Sequence, residues 1–219
     1  MRTISLDKCE LCSYNGTKMW KTEVPIVGEY TTVSITDEQY EAIIKTMREG
    51  FHPDEQHFVE PNERIATILT LEANLGLRVG DILRLRLDDI ISDGNRRRLN
   101  ITEEKTGKQR TFTVPHEVYA FICDYATKYG KPRTARLFDL SERAVQKQLK
   151  KVTDYLGIQN VSTHSFRKYF ATRIYVNNHY NIVMVQKILQ HSTAAVTQKY
   201  IGIQQRDIED ALTKNVRIV

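Results

Sequence analysis

Two arginines, two histidines and a tyrosine stand along the chain with the types and spacing needed for chemistry on a phosphodiester. Arg78 directly follows a Gly-Leu turn at the predicted start of a helix. His164 and Arg167 are three positions apart, so they share one face of a helix. His191 precedes Tyr200 by nine positions. Because a guanidinium grips phosphate through a planar fork and stays protonated, this set indicates phosphoryl transfer to a tyrosine.

Cutting a DNA strand in this way also needs a proton donor for the departing 5′ oxygen. Lys105, at the tip of a predicted hairpin, is the candidate, and Lys108 in the same turn is its rival. A phenol has a pKa of about 10, so the nucleophile needs positive charge around it to become reactive. Fixed charge for the phosphate, a nucleophile and a proton donor are therefore all present in the sequence.

The order of these motifs resembles the catalytic domain of the tyrosine recombinase, or phage integrase, family. The family pattern is G-L-R-x-x-E, a K-T-G-K hairpin, H-x-L-R, L-G-H and a tyrosine nine residues later. This chain carries LGLRVGD, EKTGKQ, HSFR, LQH and Tyr200 in the same order, and the match runs from about residue 36 to 203. A single motif such as H-x-x-R is common by chance, so the resemblance depends on the ordered set.

The resemblance implies a catalytic set made of Arg78, Lys105, His164, Arg167, His191 and Tyr200. The arginines would clamp the scissile phosphate, and Lys105 would be the general acid for the 5′ oxygen. His164 would accept a proton near the nucleophile, and His191 would hydrogen-bond a phosphate oxygen. Tyr200 would form a 3′-phosphotyrosyl bond that is conserved for rejoining, so the resemblance implies no metal, no ATP and no other cofactor.

Four residues depart from the family pattern. Asp81 replaces a Glu in a supporting position, and Phe166 replaces a Leu, which changes packing. Lys168 stands where a His is frequent and adds positive charge near the phosphate. Gln190 replaces the Gly of L-G-H at a turn between two helices, where a longer side chain is expected to shift His191. None of the four removes a catalytic group.

The elements that must position these residues are mainly helical. A capping box at 36–39 opens a first helix through about Met47, a His/Pro-rich loop spans 51–61, and a second helix ends at Leu75 with Gly76 as its cap. Further helices are predicted near 79–85, 116–129, 141–156, 164–177, 181–190, 193–201 and 205–213. Strands are predicted at Asp89–Ile91, Arg97–Thr102 and Arg110–Val114.

These elements predict an α+β fold, a helical body that carries a small three-stranded antiparallel sheet, as in the DNA breaking-rejoining fold that the resemblance implies. The chain divides into an irregular segment at 1–33, the catalytic domain at 34–203 and a tail at 204–219. The tail has apolar residues at a helical spacing, and we expect it to dock on a neighbouring protomer through Ile208, Leu212, Val216 and Ile218.

The three cysteines do not form a disulfide framework. Cys9 and Cys12 make a single C-x-x-C, which is half of a zinc site, and His52 and His57 lie too far along the chain to complete a compact finger. We therefore interpret both thiols, like that of Cys123, as free and predict no metal site, while zinc binding by Cys9 and Cys12 stays open as the alternative.

The basic residues are concentrated after the first motif. Residues 1–77 hold 7 Lys and Arg against 13 Asp and Glu, whereas residues 78–219 hold 25 against 14. This downstream part is where a phosphate backbone would bind. Seven residues in it are expected to contact the DNA backbone: Arg84, Arg86, Arg96, Arg97, Arg98, Lys108 and Lys168.

The expected partner is double-stranded DNA, with a tetramer forming on DNA and a monomer or weak oligomer in its absence. Family members commonly carry an additional core-binding domain, so a missing domain of that kind or an accessory DNA-bending protein is a further expected partner. The sequence has no apolar run of the roughly 20 residues that span a bilayer and no secretory signal, which indicates a cytoplasmic protein without a membrane partner.

Two other functions remain open from the sequence. A type IB topoisomerase uses the same chemistry to relax supercoils, although the integrase-like spacing argues against it. A non-catalytic DNA-binding regulator could keep the fold, although it would have no reason to keep all six catalytic residues. The target sequence and the biological role (integration, excision, inversion, transposition or dimer resolution) are not encoded in these motifs.

Overall fold

The computed structural model of the protein describes residues 33–201 together with residues 213, 215 and 216. All of them belong to the second of two units into which the chain divides, Thr31–Val219. Cys9 and Cys12 lie outside the described residues, as does most of the tail at 204–219 with the helix predicted there. No helix in the described part of the chain is both long and apolar enough to cross a bilayer.

The described elements confirm the predicted α+β class. The helices are α1 Asp37–Glu49, α2 Glu63–Leu75, α3 Val79–Arg84, α4 His116–Lys128, α5 Glu142–Tyr155, α6 Thr163–Asn177, α7 Ile182–Leu189 and α8 Ala194–Ile201, and a 3-10 turn spans Leu87–Asp89. The strands are β1 Phe51–Asp54, β2 His57–Val59, β3 Ile90–Asp93, β4 Arg96–Thr102 and β5 Gln109–Val114.

The predicted helix caps are confirmed by their hydrogen bonds. The Thr36 hydroxyl accepts from the backbone N–H of Gln39, and the Gln39 side chain accepts from the N–H of Thr36, so the capping box that opens α1 is complete. Gly76 ends α2 in the left-handed conformation, with a φ of 58°. Because that turn reverses the chain, it delivers Arg78 directly to the start of α3.

The main core is built around α2, which packs against α1, α3 and α6. Its apolar residues are almost completely buried, including Ile65, Ile68, Leu69, Leu71 and Leu75. A second and smaller cluster joins α6 to α7 and α8 through four buried residues, Ala171, Val185, Leu189 and Ile201. The helix that carries Tyr200 is therefore held by a small satellite cluster rather than by the main core.

The predicted three-stranded sheet is confirmed as antiparallel, in the order β3-β4-β5. Leu99 at its centre pairs with Ile90 on one side and Phe112 on the other, and it is fully buried. The β4–β5 connection contains a turn at residues 104–106, which carries Lys105.

The prediction of a loop at 51–61 is wrong, because this segment forms a two-stranded antiparallel hairpin, β1–β2. Asp54 closes the turn by accepting hydrogen bonds from the backbone N–H groups of Gln56 and His57 at 3.0 and 2.9 Å. Two features hid the hairpin from the sequence. Its strands have only 3 and 4 residues, and Pro53 lies within one of them, which ordinarily argues against a strand.

Candidate active site

The Gly76 turn brings two arginines, from a strand and a helix, onto one carbonyl group. Its backbone oxygen accepts hydrogen bonds from Nη1 of Arg110 on β5, at 3.2 Å, and from Nη1 of Arg167 on α6. A side chain at position 76 would overlap the ring of Phe170. The turn thus combines a left-handed backbone with a close approach to α6, and Arg78 follows it by two residues.

The carboxylate of Glu103 joins two of these arginines. Its Oε2 accepts from Arg78 Nη1 at 2.6 Å and from the Thr106 hydroxyl at 2.8 Å, and its Oε1 accepts from Arg110 Nη1 at 3.1 Å. Burial alone would raise the pKa of Glu103, but the hydrogen bonds from Arg78 and Thr106 and the arginine charges lower it below the usual value. Glu103 is therefore a buried carboxylate that keeps its charge.

Arg167 lies at the centre of the site and is 1% exposed. Its guanidinium donates to two backbone carbonyls, those of Gly76 and Leu189, the latter at 3.4 Å. Hydrogen bonds to neutral carbonyls leave its positive charge without a bonded carboxylate, in contrast to Arg78 and Arg110. This charge is available to an anion that enters the site.

Both predicted histidines are neutral at physiological pH. Burial and the charges of Arg167 and Arg78 lower the pKa of His164 to about 4, although one side of its ring is exposed. The same causes lower the pKa of His191 to about 4. Nδ1 of His191 lies 3.1 Å from the hydroxyl of Thr197, which fixes the orientation of the ring. A neutral imidazole can accept a proton, and through its other nitrogen it can donate a hydrogen bond.

The Tyr200 ring lies between the two histidines. Its centroid is 4.9 Å from that of His191 and 5.7 Å from that of His164, both in edge-on geometry, and Lys168 Nζ lies 5.7 Å from the ring centre. The phenol oxygen is buried and has no well-aligned hydrogen bond to the described residues. Burial raises the pKa of Tyr200 to about 12, although the charge of Arg167 acts in the opposite direction, so the hydroxyl is protonated in the DNA-free protein.

Lys105 lies in a turn closed by two backbone hydrogen bonds, from Glu103 N–H to Lys108 O and from Gly107 N–H to Glu103 O, each 2.9 Å. Asp81 supports this turn, because its Oδ1 accepts from the backbone N–H of Glu104 at 3.0 Å. Lys105 is exposed and lines a cleft together with Arg78 and His164, whereas Lys108 is not among the residues that line this cleft.

The structure thus brings all six candidate catalytic side chains to one site, and the remaining basic candidates other than Lys168 lie elsewhere. Arg84 forms an ion pair with Glu104, and Arg98 forms one with Asp93 at 2.9 Å. The guanidinium of Arg97 packs over the Tyr119 ring at 4.8 Å. Arg86 and Arg96 are exposed.

Sequence reasoning missed Glu103 and Arg110, although β5 carried a signal for the arginine. Residues 110, 112 and 114 alternate with exposed residues and face inward, so Arg110 occupies a position where an apolar residue is expected. A charge at an inward position needs a buried partner of opposite sign. Glu103, seven residues earlier on the other side of the turn, provides it.

Glu72 is the other buried charged residue that sequence reasoning missed. It lies on α2, is 0% exposed, and neither carboxyl oxygen has a hydrogen-bond partner among the described residues. Burial raises the pKa of Glu72 well above its usual 4.5, against the opposing charge of Arg167. The folded protein therefore holds a proton on Glu72 more tightly than the unfolded chain does.

The raised pKa of Glu72 predicts a pH-dependent stability difference for Glu72→Gln. In the wild type, the raised pKa of Glu72 contributes its full stabilisation below the unfolded pKa of 4.5. This contribution is lost as the pH rises through the pKa of Glu72 in the folded protein. Relative to the wild type, Glu72→Gln should gain stability progressively as the pH rises above 4.5, because the glutamine side chain carries no proton to lose. Urea denaturation across this range measures the difference, with the exposed Glu60→Gln as the control. A difference that does not change with pH would contradict the prediction.

The comparisons with known proteins agree on one family. The model of the phage integrase family matches residues 34–206. The chain is similar to the probable integrase/recombinase YoeC of Bacillus subtilis (28% identity; 68% of this chain and 83% of that protein). It is also similar to the tyrosine recombinase XerC of Caldanaerobacter subterraneus (32% identity; 70% of this chain and 45% of that protein). The chain thus spans less than half of the length of that XerC relative.

Solved structures show the same fold at low sequence identity. The XerH site-specific recombinase bound to its difH substrate aligns with a TM-score of 0.63 and 16% identity, over 83% of this chain and 53% of that one. The catalytic domain of bacteriophage HP1 integrase aligns with a TM-score of 0.54 and 19% identity, over 84% of this chain and 95% of that one.

Proposed function

Since the chain belongs to the phage integrase family, we propose that it is a site-specific recombinase that cuts and rejoins double-stranded DNA through a 3′-phosphotyrosyl intermediate. The observation that carries the proposal is the convergence of two arginines, two histidines and a lysine around one buried tyrosine. The role of each residue follows from its position and charge.

The scissile phosphate binds between Arg78 and Arg167. The Arg167 guanidinium donates to backbone carbonyls and contacts the Tyr200 hydroxyl, and Arg78 lines the neighbouring cleft. A bound phosphodiester gives Arg167 a negatively charged partner. Both guanidinium groups then stabilise the negative charge that develops in the transition state. His191, held by Thr197, donates a hydrogen bond to a phosphate oxygen.

Cleavage proceeds by attack of the Tyr200 oxygen on phosphorus. The phenol proton passes to His164, whose imidazole is neutral before DNA binds and becomes a stronger base when the phosphate brings negative charge beside it. The bond between phosphorus and the 5′ oxygen breaks, and the Lys105 ammonium protonates that oxygen. Rejoining reverses these steps when the 5′-hydroxyl of a partner strand attacks the phosphotyrosine. The phosphoester is exchanged rather than hydrolysed, so the reaction needs no ATP, and the arginines and Lys105 supply the positive charge and the proton that a metal site would otherwise provide.

The partners of the proposed enzyme are two DNA duplexes and further copies of the chain. Among similar solved structures, XerH is bound to its difH substrate and a lambda integrase dimer is bound to a core site. We infer a tetramer on DNA and a weaker assembly without it. The exposed basic residues Arg86 and Arg96, with Lys108 beside the Lys105 turn, would then contact the phosphate backbone.

The proposed chemistry is tested by incubating the protein with nicked suicide duplexes drawn from the DNA that flanks its gene. In these duplexes a short fragment diffuses away after cleavage and traps the covalent intermediate. We expect an adduct that resists denaturant and forms equally well with EDTA and without ATP. An adduct that needs a divalent metal, or no adduct on any flanking duplex, would overturn the proposal. Relaxation of supercoiled plasmid without strand exchange would indicate a topoisomerase instead.

A further inference from the structure

We propose that Gln190 is a positioning residue that ties the Lys105 turn to the segment carrying His191 and Tyr200. The inference rests on the proposed function, because it concerns the proton donor of the same reaction. It goes beyond that function by assigning a task to a residue that departs from the family pattern.

The first observation is the backbone of Gln190. This residue ends α7 in the left-handed conformation, with φ 55° and ψ 35°, which is the position that glycine usually occupies at the end of a helix. A residue with a Cβ atom pays about 1–2 kcal/mol for this conformation. The chain accepts this strain at the residue that directly precedes His191, so an interaction of the side chain should offset it.

The second observation is that interaction. Nε2 of Gln190 donates a hydrogen bond of 3.1 Å to the backbone oxygen of Gln109, a residue 81 positions away at the start of β5. Gln109 lies four residues after Lys105, on the second strand of the same hairpin. A glycine at position 190 would relax the backbone but could not make this bond.

The hydrogen bond gives the Lys105 turn an anchor on each side. On the β4 side, Glu103 binds Arg78 and Arg110. On the β5 side, Gln109 binds Gln190. The first anchor fixes the position of the turn relative to the arginines proposed to bind phosphate. The second fixes its position relative to α7 and α8, the helices next to His191 and Tyr200.

The second anchor matters because α7 and α8 pack through the small satellite cluster of four buried residues. Apolar packing of that size resists small sliding movements less well than a large core does. A proton donor misplaced by about 1 Å can slow a reaction up to about 100-fold. By fixing the position of Lys105, the hydrogen bond therefore affects the rate at which Lys105 protonates the 5′ oxygen.

Two variants separate the backbone effect from the hydrogen bond. Gln190→Gly relaxes the left-handed strain and removes the bond, and its thermal stability should be no lower than that of the wild type. Gln190→Glu keeps the length of the side chain and the strain but replaces the amide donor by an acceptor. We expect both to slow cleavage of ordinary suicide duplexes by about 10- to 100-fold.

The decisive readout is a suicide duplex with sulfur in place of the 5′ bridging oxygen. A thiolate leaves without being protonated, so this substrate no longer needs the general acid. Lys105→Ala should cleave the oxygen duplex slowly and the sulfur duplex at close to the wild-type rate. Both Gln190 variants should show the same pattern. Their restoration would show that Gln190 acts through Lys105 rather than through His191 or Tyr200.

The other outcomes overturn the inference in distinguishable ways. If Lys105→Ala is restored by sulfur but the Gln190 variants are not, Gln190 does not act through Lys105, and the proposed function stands. If the Gln190 variants cleave the oxygen duplex at the wild-type rate, the bond has no functional role. If the wild type forms no adduct, or Lys105→Ala is not restored, the proposed chemistry fails together with the inference.

Discussion

Tyr200→Phe is expected to abolish the covalent protein–DNA adduct while leaving the fold and DNA binding intact. The substitution removes the atom that we propose attacks phosphorus, and no other described group can replace it at that position between the two histidines. The phenol oxygen is buried, and its contact with the Arg167 guanidinium is not a well-aligned hydrogen bond, so its removal leaves no well-bonded partner unsatisfied. Stability should therefore stay the same or rise by up to about 1 kcal/mol.

The measurement is denaturing gel electrophoresis of the protein after incubation with a labelled suicide duplex, with thermal denaturation of the same samples. Tyr180→Phe is the matched control, because that side chain is 66% exposed and lies outside the site. It should form the adduct at the wild-type rate. An adduct that survives in Tyr200→Phe would assign the nucleophile to another residue.

Glu103→Gln is expected to be the most destabilising of the substitutions considered. The carboxylate is 1% exposed and is hydrogen-bonded to Arg78 and Arg110, and Arg167 lies close enough to affect the pKa of Arg110. Glutamine has nearly the same shape but no charge, so it leaves guanidinium groups close together without their anion. Breaking a buried ion pair from one side costs about 3–5 kcal/mol.

Urea denaturation at pH 7 measures this loss, and Glu104→Gln provides the neighbouring control. Glu104 pairs with Arg84 at an exposed position, where the loss of an ion pair costs at most about 1 kcal/mol. Added sulfate should restore more stability to Glu103→Gln than to the wild type, because an anion in the site would offset the missing charge. A loss below about 1 kcal/mol for Glu103→Gln would contradict the account of the arginine cluster.

The sequence could predict much of the candidate site because its motifs are local. Arg78 after a turn, His164 and Arg167 on one helical turn, and a tyrosine beyond His191 are all recognisable within short windows. Helical spacing and caps then place each side chain on its element without knowledge of the whole fold. The residues that support the site are instead defined by tertiary packing.

Local patterns could not assign Glu103 and Glu72, and for Arg110 they offered only the strand alternation of β5. A charged residue on a strand or helix is usually at the surface, and only tertiary packing decides that these three are buried. Glu72 in particular lies in an otherwise apolar helix, where its environment depends on α6, about 90 residues away. The short β1–β2 hairpin was hidden for a similar reason, because its pairing is weak in the sequence and its proline argued against it.

The prediction for Gln190 was incomplete, because it considered only the neighbouring residue His191. The sequence indicated that a longer side chain at this turn would affect His191. In the structure the side chain reaches away from its own segment to Gln109 on β5, and the backbone adopts the left-handed conformation that glycine would take. Whether His191 is displaced stays a prediction, whereas the contact with the hairpin could be found only in three dimensions.

The shared carbonyl of Gly76 has a consequence for how such a site can evolve. Any mutation there would push against Phe170 and would disturb, in one step, the donors from Arg110 and Arg167. At Asp81 this chain departs from the family pattern by exchanging one carboxylate side chain for another, to which the neighbours can adjust. At the glycine there is no such intermediate, so the position with the least freedom to vary in this site carries no reactive group at all.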